Sequence, residues 1–187
     1  MKKLLTYLII LLSFESYASI NLKKPEKIDF SRQLTEKTKP LEISDINIEK
    51  DQTFEIEKDG LYLGTLIPAE GYYKQYNPLC FIGWSIDKKE ISNIVPSIGQ
   101  GDFENSTCLS LDAVGKIDVR DKTYIGFVYT VGLRDRQAKN YFLLELDKDK
   151  RTIVDKSTVV DELQNNGDKK SITALRKYLE NTKEKKE

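Results

Sequence analysis

Cys80-Phe81-Ile82-Gly83-Trp84-Ser85-Ile86-Asp87 is the stretch that decides the fold class. Cys80, Ile82, Trp84 and Ile86 fall at alternate positions, with Phe81, Gly83, Ser85 and Asp87 between them. Successive side chains of a strand point to opposite faces, so this period of two predicts a half-buried β-strand.

The same signal recurs on both sides. Upstream, Phe54 and Ile56 alternate with Glu55 and Glu57, and Lys58-Asp59-Gly60 leads into 61–67. Asp-Gly between two such runs is a hairpin signal, because the favoured tight turn needs positive φ at both central residues. Leu41, Ile43, Ile46 and Ile48 predict one or two short strands with a bulge at Ser44-Asp45. Downstream, strands are expected over 107–112 and around Ile117 and Val119. The run from Tyr124 to Val131 is β-branched and aromatic on both faces, which predicts a central strand. Gly132-Leu133-Arg134-Asp135-Arg136 reads as a polar turn into a strand from Tyr141 to Leu146, and Asp147 to Lys150 turns that strand into 152–154. Pro96, Gly99 and Gly101 make 88–106 read as a long loop with a helical turn at 89–95. The expectation is an antiparallel β-sheet of about six to eight strands over 41–154.

Two helices are expected to follow. Ser157 is placed to cap one holding Val159, Val160 and Leu163, with Asn166-Gly167 as its stop. Asp168 is placed to cap a second, in which Ile172, Leu175 and Leu179 lie at i, i+3 and i+7 and Tyr178 widens the face. Residues 183–187 read as a solvated end. The fold class is α+β, with 41–187 forming a single globular domain. Residues 19–40 are rich in Lys, Glu, Pro and Thr without an apolar period. They read as an exposed, flexible leader with at most one turn around Phe30 and Leu34.

Met1-Lys2-Lys3 precedes the apolar run Leu4 to Leu12, and Ser13 to Ser19 closes it. A basic start, a short apolar stretch and small residues at a cut form a secretory signal peptide, here 1–18 with cleavage after Ala18. The apolar run is shorter than the roughly 20 residues a membrane helix needs, so no stable insertion is expected after cleavage. This reading places the mature chain in the periplasm. Cys80 and Cys108 are its only cysteines and are expected to form one disulfide in that oxidising compartment. The close C-x-x-C spacing of a redox-active pair is absent, so the bridge reads as structural.

Thirty basic and thirty acidic side chains balance to a formal net charge of zero. That predicts no bulk attraction to nucleic acid or to anionic lipid. The chain contains no histidine. The commonest general base, the usual zinc ligand and the usual pH switch are therefore missing together. The loop from Ser97 to Ser106 lacks both the third glycine of a phosphate cradle and the spacing of a calcium loop. Neither a catalytic set, a cofactor nor a metal is expected.

Candidate contact residues remain. Between Pro68 and Pro78, read as a loop, lie Tyr72, Tyr73, Lys74 and Tyr76. Tyrosine offers large, stiff, amphipathic area at little entropic cost. Arg134 and Arg136 share a predicted turn and suit a carboxylate on a partner. The functional expectation is an exported binding module with a protein partner. Its leading form is a periplasmic inhibitor or immunity-type protein acting on a toxin or cell-wall hydrolase. The alternatives are an accessory subunit of an envelope or secretion assembly and a carboxylate-dependent glycan-acting enzyme.

Overall fold

The alternation at Cys80 does form a strand, but one buried on both faces. It belongs to the first of two antiparallel sheets in the computed structural model, which describes residues 20–26, 29–165 and 170–182. The signal peptide, the Asn166-Gly167 stop, the Asp168 cap and the 183–187 end lie outside the described residues.

The first sheet holds β1 (Ile20–Lys23), β2 (Ile43–Ile48), β3 (Phe54–Lys58), β4 (Leu61–Tyr73), β5 (Asn77–Ser85) and β6 (Asn93–Ile98). Its order is β1-β3-β4-β5-β6, and β2 pairs with the part of β4 that runs past β3. The second sheet is β10-β9-β8-β7, built from β7 (Thr107–Val119), β8 (Lys122–Gly132), β9 (Gln137–Asp147) and β10 (Thr152–Asp155). Three α-helices are described: α1 (Ser31–Thr38), α2 (Asp161–Gln164) and α3 (Ile172–Asn181).

The sheets face each other across one core. Ile56, Leu66, Ile82 and Trp84 come from the first sheet, and Ile125, Phe127, Phe142 and Leu144 from the second. Each sheet also buries its outer face. Phe30 and Leu34 pack with Ile67, Leu79 and Phe81 on one side. Val160, Leu175 and Leu179 pack on Ile117, Val128, Tyr141 and Leu143 on the other. A strand sandwiched in this way needs apolar residues at both parities, so Leu79 and Phe81 are as buried as Cys80 and Ile82.

Helix α3 sinks into the second sheet over a pair of glycines. Gly115 on β7 lies opposite Gly126 on β8. A Cβ at Gly115 would sit 2.5 Å from Ile172 Cγ2, and one at Gly126 2.6 Å from Leu175 Cδ2. The expected stripe is therefore the docked face. Its cap is Ser171, whose hydroxyl accepts from the Ala174 N–H. Ser157 does not cap a helix. It begins a 3₁₀ turn, and its hydroxyl accepts from the Leu143 N–H at 3.1 Å.

Four other expectations are corrected. The 19–40 segment is not an exposed leader over its described part. Ile20 and Leu22 sit in β1 on β3, and α1 buries Phe30, Leu34 and Thr38. Residues 88–106 contain β6 as a sheet edge, where Pro96 costs no interior ladder bond. The strands expected at 107–112 and 117–119 are one bulged strand, β7. Most of the presumed 68–78 loop is the continuation of β4 and the start of β5.

Cys80 and Cys108 are bonded, with Cα atoms 5.6 Å apart. The bridge joins β5 to β7 and hence one sheet to the other. A disulfide fits an oxidising, extracytoplasmic setting. No helix among the described residues is long and apolar enough to cross a membrane.

Candidate functional site

The disulfide fixes where the candidate contact residues meet. On β4 and β5, Glu70 is the cross-strand partner of Cys80, and the hairpin closes a few residues later at Tyr73–Asn77. On β7 and β8, Cys108 is the partner of Val131, and the turn carrying Arg134 and Arg136 begins just beyond Gly132. Both turns therefore lie within a few residues of one bridge, at one corner of the sandwich.

The tyrosine hairpin is hydrogen-bonded at its tip. Lys74 and Gln75 have φ of 49° and 68°, and the Tyr76 N–H donates to the Tyr73 carbonyl at 3.2 Å. Positive φ at both central residues is the signature of a type I′ turn. The residue before β2 braces it: the Lys74 N–H donates to the Glu42 carbonyl at 2.8 Å. The Lys74 ammonium lies 5.1 Å from the centre of the Tyr73 ring and 3.8 Å from Glu42 Oε2. Tyr73 first, and then Glu42, hold that amine above its ordinary range.

The three tyrosines separate. Tyr73 is half-buried and packs on the layer holding Phe30 and Leu34. Tyr72 is 43% exposed and Tyr76 78%. Leu41 and Leu109 are also exposed near this corner, Leu41 beside Glu42 and Leu109 beside Cys108.

The arginine turn is anchored by Leu133, which packs against the inter-sheet core and whose N–H donates to the Arg136 carbonyl at 2.8 Å. Arg134 and Arg136 are exposed, and neither guanidinium has a hydrogen bond or ion pair among the described residues. No described hydrogen bond or ion pair links the two turns to each other. The 99–106 loop folds over the same end of the core. Gly99 N–H donates to the Phe103 carbonyl at 3.2 Å, and the Phe103 ring meets Phe142 edge-on at 6.1 Å. That loop closes the core.

Other polar groups are arranged differently. Glu55 is buried at 3% exposure, and its carboxylate takes a 2.7 Å bond from Lys88, whose ammonium lies 4.6 Å from the centre of the Tyr62 ring. The hydrogen bond to Glu55 is the main cause holding the Lys88 amine high. Tyr129 is buried between the sheets and accepts from Ser97 at 3.0 Å, and burial pushes its hydroxyl well up. Glu49 is raised by burial first, then by the charges of Glu70 and Asp51. Glu70 accepts from Asn47 at 2.9 Å. Among the described residues, no group of His, Cys, Asp or Glu is placed to hold a metal ion.

Gln75, Glu42 and Leu109 belong to this corner without having been singled out from the sequence, and Leu41, expected in a strand, ends a 3₁₀ turn there. The signal for Gln75 was present: Lys-Gln stands where a tight hairpin favours Asn-Gly. The prolines and glycine of 68–78 mask that signal, because they read as a loop. The chain matches no family model, no curated protein and no solved structure.

Proposed function

We propose that this chain is an exported binding module that works in the periplasm and neutralises a toxin or a cell-wall hydrolase through its disulfide corner. One observation carries the reading. Two exposed tyrosines, a braced lysine and two exposed arginines are held close to a single inter-sheet bridge. Aromatic and arginine side chains on a rigid frame are the chemistry of binding hot spots. Preorganisation by the bridge and by the Glu42 contact lowers the ordering cost of association. The lack of histidine supports binding over catalysis, since the usual base for an activated nucleophile is missing.

The test is a pull-down from periplasm with the tagged mature chain, disulfide intact, against a Tyr72→Ala/Tyr76→Ala variant. Tyr73 is left in place because it packs against the Phe30–Leu34 layer. The expected result is a toxin or hydrolase retained by the native chain and bound about 30-fold more weakly by the folded variant, the scale of one hot spot of about 2 kcal/mol. Equal retention removes the tyrosines from the interface. Recovery of membrane-assembly subunits alone replaces this reading with an accessory role in an envelope assembly.

A further inference from the structure

Strand β4 ends in two tight turns. Both carry positive φ at two consecutive residues: Asp59 and Gly60 at 51° and 80°, Lys74 and Gln75 at 49° and 68°. Gly, and to a lesser degree Asp or Asn, adopt this conformation readily; long side chains do so at a cost. The first turn therefore has residues suited to folding. The second holds two unsuited ones at the tip of its hairpin, between Tyr73 and the largely exposed Tyr76. Strain of this kind persists where surrounding contacts enforce it, and here the Glu42 carbonyl and the Tyr73 ring do so. What Lys-Gln supplies and Asn-Gly does not is an ammonium, resting beside the Tyr73 ring and Glu42, and a longer carboxamide.

That trio suits a cavity that joins carboxylates to sugar subsites. Most glycan-cleaving hydrolases hold two carboxylates a few ångströms apart, flanked by subsites for sugar rings. An ammonium satisfies the carboxylates, a carboxamide replaces sugar hydroxyl and amide groups, and a ring fills a subsite. The Lys74 amine is more than half exposed, and its contacts with Glu42 at 3.8 Å and with the Tyr73 ring at 5.1 Å are long ones that it can exchange for a partner's carboxylate. We propose that the Lys74–Gln75 turn is a plug for the active cleft of a glycan-cleaving cell-wall hydrolase, with Lys74 at the catalytic carboxylates and Gln75 and Tyr76 in adjoining sugar subsites. The proposal rests on the inhibitor reading above and narrows its target.

The experiment uses the mature, disulfide-bonded chain and a Lys74→Asn/Gln75→Gly variant. The probes are a c-type lysozyme, a lytic transglycosylase and a zinc amidase that cuts only peptide linkages, together with any hydrolase recovered in the pull-down. Each is assayed on peptidoglycan with and without tri-N-acetylchitotriose. The native chain is expected to inhibit at least one glycan-cleaving enzyme in competition with the oligosaccharide. The variant is expected to melt at a higher temperature and to inhibit at least tenfold more weakly. Undiminished inhibition by the variant, inhibition indifferent to the oligosaccharide, or no rise in melting temperature overturns the plug. Inhibition confined to the amidase overturns the plug and leaves the inhibitor reading standing. No inhibition of any probe, with no toxin or hydrolase in the pull-down, overturns both.

Discussion

The two ends of strand β5 close the sandwich by different means. Near its start, Cys80 crosses to β7 covalently. Near its end, the Trp84 indole N–H donates to the Arg151 carbonyl at 2.9 Å, while the Arg151 guanidinium donates to the carbonyls of Leu63 and Ile86. Beside that second crossing, Lys88 neutralises the buried Glu55, and the Tyr62 hydroxyl lies 2.8 Å from Thr65 Oγ1 and 3.1 Å from the Ser85 carbonyl. Polar groups at the second corner are turned inward and partnered. At the disulfide corner, Tyr76, Arg134 and Arg136 face solvent. A covalent bond frees the residues around it from holding the sheets together. A corner held by hydrogen bonds has no such freedom, because each donor it lost would leave a buried acceptor unpaired.

Breaking the bridge is expected to have the largest effect. Cys80→Ala with Cys108→Ala releases a loop with a sequence separation of 28. The chain-entropy model puts the loss at about 3.5 kcal/mol. Urea denaturation of the variant against the oxidised native chain measures it. The proposed partner-binding surface is expected to weaken with it, since both turns lie within a few residues of the bridge. A loss below about 1 kcal/mol would mean that the corner is held by packing alone and that the contrast between the corners is false.

At the opposite corner, Lys88→Met leaves the Glu55 carboxylate buried without its cation. The expected cost is about 2 kcal/mol, the range for losing a hydrogen bond to a buried charged group. Adding Glu55→Gln is expected to recover part of it by removing the stranded charge. Partner binding is expected to stay unchanged in both variants. Weakened binding in a folded Lys88→Met chain would mean that the two corners do not divide stability from recognition.

The corners also differ in how far the sequence disclosed them. The bridge, the Asp59-Gly60 hairpin, the central β8 and the α3 stripe were all legible, because each is encoded by a local pattern or by the only available pair. The β1 strand was not. Its alternation is confined to Ile20 and Leu22, and its partner β3 lies more than thirty positions away. Helix α1 escaped for a related reason. Phe30, Leu34 and Thr38 form a minimal i, i+4, i+8 stripe on an otherwise charged segment. Such a stripe becomes stable only when the outer face of the first sheet is present to receive it. The tyrosine segment was misread for the opposite reason. Its prolines and glycine signalled a loop, but β2 and β5 flank β4 and carry it through as strand. The Lys88–Glu55 and Arg151 contacts link positions 33 and 88 apart, and no local pattern announces them.

The smallest expected effect sharpens the contrast through pH. At the far corner, the Lys88 amine is raised in the fold, so its contribution is complete below the ordinary lysine value of about 10.4 and is lost only as pH rises through the higher folded value. It is silent in the acid range. Just past the end of β2, where its N–H donates to the Pro68 carbonyl of β4, Glu49 behaves in the opposite sense. Burial and the charges of Glu70 and Asp51 raise its carboxyl above the usual carboxylate range. The native state then holds its proton to higher pH than the unfolded chain does. Stability from this group therefore falls as pH rises from the unfolded carboxylate value through the folded one, and the penalty is complete above that. Glu49→Gln removes the ionisable group, so it is expected to raise the melting temperature at pH 7. The gain is expected to shrink as pH falls through the carboxylate range and to vanish near pH 3, where both states are protonated and the native chain carries no extra charge to relieve. Thermal melts of both chains at pH 3, 5 and 7 measure it. An equal gain at pH 3 and pH 7 would assign the effect to the shape of the amide, and burial with like-charge crowding at Glu49 would no longer contrast with the matched Lys88–Glu55 pair.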